Sequence, residues 1–323
     1  AGGAPITVLS CDNLQSNGHA TRAVVTEFLH ASSASDDVLA FVTERVSFPN
    51  SMVDRIVPAT TGQTLSAVAE LLGVDDHCPV PAEDFSMWVL EDAFTAGRPA
   101  WERAGAVFSD EVHAYELVKL RLLNGSHSLI AYLGLLDGRA TIAEAWAQDF
   151  VEDAVRACIA EDYLPTITLP RGFDTDAYVE SLSHRWANAA LGHRTSQVGT
   201  DGSVKLLQRI PEPALIALRA GRVPHLLALT VAGWICAVAP PSGFDPGPYA
   251  GEIREPARAR LAAVTRGASG PREHAVAVLD NGFLPDDLTS HRAFVERVAD
   301  LVASIARAGI RAAAREATEN RNP

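Results

Sequence analysis

The densest chemistry in the chain lies in Tyr115-Glu116-Leu117-Val118-Lys119-Leu120-Arg121-Leu122-Leu123-Asn124-Gly125-Ser126-His127. On an α-helix at about 100° per residue, Lys119, Asn124 and His127 fall near about 0°, 140° and 80°, with His127 between the other two. Leucines surround them, so the helix reads as largely buried. Burial disfavours an ammonium, and the Lys119 pKa is expected to fall. A lysine moved toward neutrality takes a proton from a hydroxyl or returns one to a carbonyl. Asn124 is suited to donating to a developing oxyanion. His127 is suited to donating to a second substrate oxygen or relaying a proton. The plain alternative puts Lys119 at a solvated rim and His127 in the core with its hydrogen bonds satisfied.

Three further segments concentrate polar groups. Ser10-Cys11-Asp12-Asn13-Leu14-Gln15-Ser16-Asn17-Gly18 follows a short apolar strand. In an open α/β sheet the carboxyl ends of strands face the ligand crevice, which would leave the Asn13 amide free to donate to a ligand. An Asn-Gly turn without function explains the same residues. Ser47-Phe48-Pro49-Asn50-Ser51-Met52-Val53-Asp54-Arg55 carries a rigid corner at Pro49, then Asp54 and Arg55, which a structural ion pair at a strand edge would also explain. His193-Arg194-Thr195-Ser196-Gln197-Val198-Gly199-Thr200-Asp201-Gly202-Ser203-Val204-Lys205 reads as a polar loop between two helices. Its His193, Arg194 and Lys205 are suited to a carboxylate or to several hydroxyls. The alternative is a helix end and an Asp-Gly turn with exposed cations. The ten histidines form no H-E-x-x-H or H-x-H pair, so a metal-independent protein is expected. No G-x-G-x-x-G loop is present, and Ala1-Gly2-Gly3 is no substitute for one.

These residues need elements to position them. Strand-like runs near 6–10, 38–47, 54–58 and 85–91 alternate with helical runs near 19–30 and 63–73, an α/β pattern. From about Asp110 the pattern becomes helical, near 110–136, 140–160, 174–190, 211–220, 222–239, 253–266 and 288–318. Asp137-Gly138, Pro170-Arg171-Gly172, Asp201-Gly202 and the run Pro240 to Gly251 break it. The end, Asn320 to Pro323, is expected to fray.

Composition narrows the function class. A net charge of −13 repels nucleic acid and anionic membrane surfaces, while a few local cations still permit an anionic small substrate. Cys11, Cys78, Cys158 and Cys236 form no C-x-x-C pair and read as reduced, buried thiols of a cytoplasmic protein. No apolar run reaches the length of roughly 18 residues that a membrane span needs, and no signal peptide is visible. The chain opens at Ala1 and enters a β-type run by Ile6, which reads as a fragment entered in mid-domain.

Taken together and in order, several runs resemble the polyol-specific long-chain dehydrogenase/reductase family, which includes mannitol 2-dehydrogenases and fructuronate reductases. They are Ser10 to Asn13 with Asn17-Gly18, Phe48 to Arg55, Trp88-Val89-Leu90-Glu91-Asp92-Ala93-Phe94, and Gly97-Arg98-Pro99-Ala100-Trp101-Glu102. Lys119 to His127, Ala131-Tyr132-Leu133-Gly134, His193-Arg194-Thr195 and Asp201-Gly202-Ser203 with Lys205 complete the set. The resemblance runs from residue 6 to about 315. It implies an α/β remnant of a Rossmann-type nucleotide-binding domain over 1–105, followed by a mainly α-helical C-terminal substrate domain over 106–323. It implies an NAD(P)-dependent, metal-independent oxidoreductase with NAD favoured, interconverting a ketose or keto-hexuronate and its polyol or aldonate. Lys119 falls on the catalytic lysine, Asn13 and Asn124 on the asparagines that hold the reacting oxygen, and His127 on the substrate-binding histidine. Asp54 and Lys205 match substrate contacts, and Asn13 and Asp54 also fall on the cofactor side. Gln197 stands where mannitol enzymes carry arginine. With His193-Arg194-Thr195 it is closer to the fructuronate reductase branch, which points to a sugar acid with Arg194 or His193 near its carboxylate. The family's glycine-rich pyrophosphate loop has no counterpart here, and the part carrying it would be roughly 100–150 residues. The competing expectation is therefore a catalytically incomplete sugar-acid-binding or scaffolding fragment. A monomer or small homo-oligomer is expected, with a small-molecule sugar or sugar acid as partner.

Overall fold

A computed structural model describes residues 3–320. The sequence end expected to fray, 321–323, and Ala1-Gly2 lie outside the described residues. The chain forms two compact units. The first comprises residues 1–119 with 168–173, and the second 120–167 with 174–323.

In the first unit, strand β1 (Ile6–Thr7) is followed by helices α1 (Asn17–Ala31) and α2 (Asp36–Arg45), then β2 (Val46–Ser47). β1 and β2 pair in parallel, Ile6 opposite Val46 and Thr7 opposite Ser47. Strand β3 (Ser51–Asp54), helix α3 (Gly62–Leu72), β4 (Met87–Leu90), β5 (Val107–Phe108) and helix α4 (Val112–Val118) complete it. β4 lies between an antiparallel β3 and a parallel β5. Met52, Val89 and Val112 form the core beneath, with Met87 and Tyr115 against them.

Two strand expectations fail. Residues 38–47 are helix α2 for most of their length, because Ser35-Asp36-Asp37 is a helix start with acidic residues in the first turn. The strand expected at 54–58 ends at Asp54, because the Ile56 N–H is taken by the Glu83 side chain at 2.6 Å rather than by a neighbouring strand. The first compact unit also includes α4 and residues 168–173. α4 packs on β3 and β4, the Phe173 ring meets Tyr115 at 5.8 Å, and Arg171 pairs with Asp110 and Glu111.

α4 continues without interruption through a π-helical segment, Lys119–Gly125, into α5 (Ser126–Leu136). π-Helical pairing runs i to i+5. The α-helical angles assumed for Lys119 and Asn124 therefore do not apply. Gly125 has a packing reason: a Cβ there would collide with the Tyr163 hydroxyl.

The second unit is helical. After α5 come α6 (Ile142–Trp146), α7 (Asp149–Ala157), a π-helical turn Cys158–Tyr163, α8 (Thr175–Ala187), α9 (Thr195–Gly199), α10 (Gly202–Arg209) and α11 (Pro211–Arg219). Then follow α12 (His225–Val238), α13 (Arg258–Val264), α14 (Pro271–Leu279), α15 (Asp286–Thr289), α16 (Arg292–Ala308) and α17 (Ile310–Glu319). α5 and α12 are apolar around most of their circumference, the mark of a helix enclosed by others. Every residue of α12 from Leu226 to Val238 is buried, against α5 and α16. The helix expected over 288–318 breaks at Gly309, whose φ of 82° stops α16 before α17 begins. The loop expected over 193–205 is mostly helical, as α9 and the start of α10. Cys158 and Cys236 are buried as expected, whereas Cys11 and Cys78 are exposed; all four are free thiols.

Candidate active site

In the first unit, three of the sequence segments interlock. Gly18 lies so close to the Phe48-Pro49 corner that a Cβ would run into both carbonyl oxygens. That contact lets the Asn50 side chain cap α1 from a distance, accepting from the Gly18 and His19 N–H groups at 3.0 and 3.2 Å. Asn50 is held in turn by Glu91, which accepts from its backbone N–H at 2.7 Å and from its Nδ2 at 2.9 Å. Asn17 is buried and organises the loop before it. Its Nδ2 donates to the Ser10 and Asp12 carbonyls, and its Oδ1 accepts from the Ser51 N–H. The loop is thus a hydrogen-bonded turn with a fixed shape, and it carries Asn13.

Lys119 meets that loop. Its Nζ donates to Asn13 Oδ1 at 2.7 Å and to the Val53 carbonyl at 2.5 Å. The side chain is only 8% exposed, so it does not sit at a solvated rim. Asn13 Oδ1 accepts from the ammonium, which leaves the Asn13 Nδ2 as the donor for a ligand. Asp54, next to Val53 on β3, is buried. Arg55 is turned away and donates to the Glu83 carbonyl at 2.7 Å.

The second unit assembles a different group. Asn124 is half-buried near the start of α5. His127 is buried, and its ring meets the His193 ring edge to face at 5.1 Å. His193 is pinned because its carbonyl accepts the Ile142 N–H at 2.8 Å, and the neighbouring Thr195 bonds the Arg139 and Ala140 carbonyls. Burial, then the His193, Arg209, Arg185 and Lys205 charges, holds His127 well below the ordinary imidazole range. Burial and Lys205 lower His193 to about 4. Both rings are therefore neutral at pH 7. Lys205 on α10 donates to the Val198 carbonyl at 3.3 Å, and burial with Arg209 nearby lowers its pKa. Glu255 fixes the start of α10 by accepting from Ser203 and from Trp234 Nε1.

Two residues of the expected set are placed differently. Arg194 is half-exposed, and Glu252 takes its guanidinium at 2.8 Å, so it is committed to an ion pair. Gln197 is exposed on α9. Other residues were not singled out in the sequence. Glu116 is buried, and its carboxylate accepts the Ser16 N–H at 2.9 Å. Arg209 stands four residues after Lys205, a spacing that places both on one helix face and was legible. Arg121, inside the motif, is structural: it bonds Thr166 and pairs with Glu212 at 2.9 Å. Among the described residues, no three His, Cys, Asp or Glu side chains are grouped to hold a metal ion. No helix among them is long and apolar enough to cross a membrane.

Comparison with known proteins places these features in a family. Residues 1–103 match the mannitol dehydrogenase Rossmann domain and residues 111–309 the mannitol dehydrogenase C-terminal domain. D-mannonate oxidoreductase of Escherichia coli is 39% identical over 90% of this chain and 59% of its own length. Mannitol 2-dehydrogenase of Aspergillus terreus is 34% identical over 95% of this chain and 60% of its own length. The solved structure of Pseudomonas fluorescens mannitol 2-dehydrogenase, a ternary complex with NAD and D-mannitol, matches at a TM-score of 0.82 and 30% identity. It covers 98% of this chain and 63% of that one. The chain thus spans about three fifths of the length of these relatives. With a Rossmann-type α/β unit followed by a helical C-terminal domain, it belongs to the mannitol dehydrogenase family.

Proposed function

We propose that this chain carries the substrate side of an NAD(P)-dependent oxidoreductase that interconverts a keto-hexuronate or ketose with its aldonate or polyol. The observation that carries the reading is the buried Lys119 ammonium, oriented by Asn13 Oδ1 and the Val53 carbonyl. In reduction, Lys119 donates a proton to the substrate carbonyl oxygen; in oxidation, its amine takes the hydroxyl proton. Asn13 and Asn124 steady that oxygen through their amide donors. A nicotinamide, when bound, supplies or accepts the hydride. The Asn13–Lys119 pair suits the reacting end of such a cofactor, and Asn13 and Asp54 are its nearest partners in this reading. The β1–α1 turn carries Ser, Cys, Asp and Asn instead of a glycine-rich pyrophosphate cradle. NAD is favoured over NADP, and the acid–base work is assigned to Lys119 rather than to a metal ion. In the same reading the domains divide near residue 105.

His127, His193 and Lys205 bind the rest of the sugar. A sugar acid is preferred because Gln197 stands in place of an arginine and because a D-mannonate oxidoreductase is among the relatives. The test is a panel assay on full-length protein that includes any upstream region. It follows NADH and NADPH oxidation with fructuronate, tagaturonate, fructose and xylulose. Turnover of at least one substrate is expected. No turnover with either nucleotide, together with sugar-acid binding by calorimetry, would replace this reading with a binding fragment.

A further inference from the structure

Arg209 closes α10, one turn after Lys205. Its Nη1 donates to Ser128 Oγ at 2.6 Å. Its Nε is shut off from solvent and has no hydrogen-bond partner. Among the described residues no carboxylate pairs with it, whereas Arg121, Arg194 and Arg311 each have one. The groups around it are also sparsely partnered. Lys205 donates to the Val198 carbonyl and feels the Asp201 and Glu255 carboxylates only through their fields. The Tyr163 hydroxyl and His127 Nε2 are buried without partners. Two cations and two unsatisfied polar groups thus converge within one helical unit. Burying a charge without its counterion is unfavourable, burial lowers the Arg209 pKa, and the Arg209 charge helps to lower that of Lys205.

We propose that Arg209 is the specificity-determining residue that receives the substrate's carboxylate, with Lys205, His127 and Tyr163 completing the anion site. A guanidinium presents a planar fork of donors that matches a carboxylate in bidentate geometry. Lys205 adds charge, and the neutral His127 ring and the Tyr163 hydroxyl add directional hydrogen bonds. Arg194 does not fill this role, since Glu252 already occupies it. A neutral ketose would leave the guanidinium uncompensated, so the site selects the acid. The inference rests on the oxidoreductase reading above and specifies its substrate class.

The test compares D-fructuronate with D-fructose, two ketoses that differ in a terminal carboxylate against a hydroxymethyl group. Full-length wild type, Arg209→Gln, Arg209→Lys and Ser128→Ala are assayed with NADH. Wild type is expected to prefer the uronate. Arg209→Gln is expected to lower kcat/KM for the uronate by about 30-fold or more, chiefly through KM, and to shrink the uronate-to-fructose ratio by a similar factor. Arg209→Lys should restore part of that ratio. Equal losses on both substrates, or the same loss in Ser128→Ala, would show that Arg209 only props the helix and would overturn the assignment. A wild type that prefers the uronate and an Arg209→Gln variant that keeps this preference would overturn the assignment while leaving the role of Lys119 intact. A wild type that reduces fructose but not fructuronate would overturn the sugar-acid class, and one inactive on every ketose would overturn the oxidoreductase reading itself.

Discussion

The two units hold their charged groups by opposite means. The first has a thin core around Met52, Val89 and Val112, and helices α2 and α3 bury no residue at all. Among the described residues, all the strongly exposed large apolar side chains except Val204 and Leu207 belong to it. Its lysine is positioned by a polar lattice in which Asn17, Asn50 and Glu91 shape the loop that meets Lys119. The second encloses α5 and α12 in apolar neighbours and holds Lys205, Arg209, His127 and His193 at the edge of that core. A hydrogen-bonded lattice fixes one ammonium with little apolar burial. A deep core can instead hold a guanidinium such as that of Arg209 without a paired carboxylate, because the apolar contacts around it offset the cost.

The largest effect is expected at Lys119, in the polar lattice of the first unit. In the full-length protein, Lys119→Ala is expected to lower kcat by about 10³–10⁴-fold with the fold retained, as loss of a general acid–base group does. Steady-state kinetics with a circular-dichroism check measures it, and near-normal turnover would remove Lys119 from the chemistry. Core substitutions should sharpen the contrast. Leu229→Ala, at a fully buried position on α12, is expected to cost about 2–5 kcal/mol in denaturant unfolding. A cost under about 1 kcal/mol would mean that α12 is not the centre of the second core.

A pH effect should come next. Asp162 accepts the Leu226 and Leu227 N–H groups at the start of α12, and burial, only partly opposed by those bonds, raises its pKa to about 7. Its folded pKa lies above its unfolded value of about 3.9. Between those values the folded state binds the proton more tightly, so this contribution is complete below about pH 4 and is lost as pH rises to about 7. His193 works the other way: with its folded pKa lowered to about 4, its contribution is present above about pH 6.5 and is lost as pH falls toward 4. Asp162→Asn should remove the first slope and leave the second, as urea melts from pH 4 to 8 would record. An unchanged profile would show that Asp162 titrates normally. The smallest effect belongs to the exposed face of the first unit. Phe28→Ala, at a side chain 67% exposed on α1, should change stability by no more than about 0.5 kcal/mol. A larger loss would show that α1 buries Phe28 against something.

Much of the site was readable because its residues follow one another closely in the chain. Lys119, Asn124 and His127 stand on one helical run, and Lys205 and Arg209 share one face of α10. The turn at Asn17-Gly18 and the corner at Pro49 were legible from turn chemistry. Other features were not, because they depend on partners distant in sequence. Asn50 caps α1 across 32 residues, Glu83 ends a strand expected to continue past Asp54, and Glu252 removes Arg194 from the candidates for a carboxylate. The apolar residues of 38–45 do not distinguish strand from helix by themselves. The acidic start at Ser35-Asp36-Asp37 does.

The sequence by itself determined the α/β-then-helical order, the buried character of α5 and α12, and the residue types able to move a proton, since periodicity and side-chain chemistry are local properties. Tertiary structure alone decided which of those polar groups are satisfied. Lys119 found Asn13 across 106 residues, Arg194 found Glu252, and Arg209 found no carboxylate among the described residues. The energy of a charge depends on its dielectric surroundings and its nearest counterion, and both are set by which distant segments fold against it.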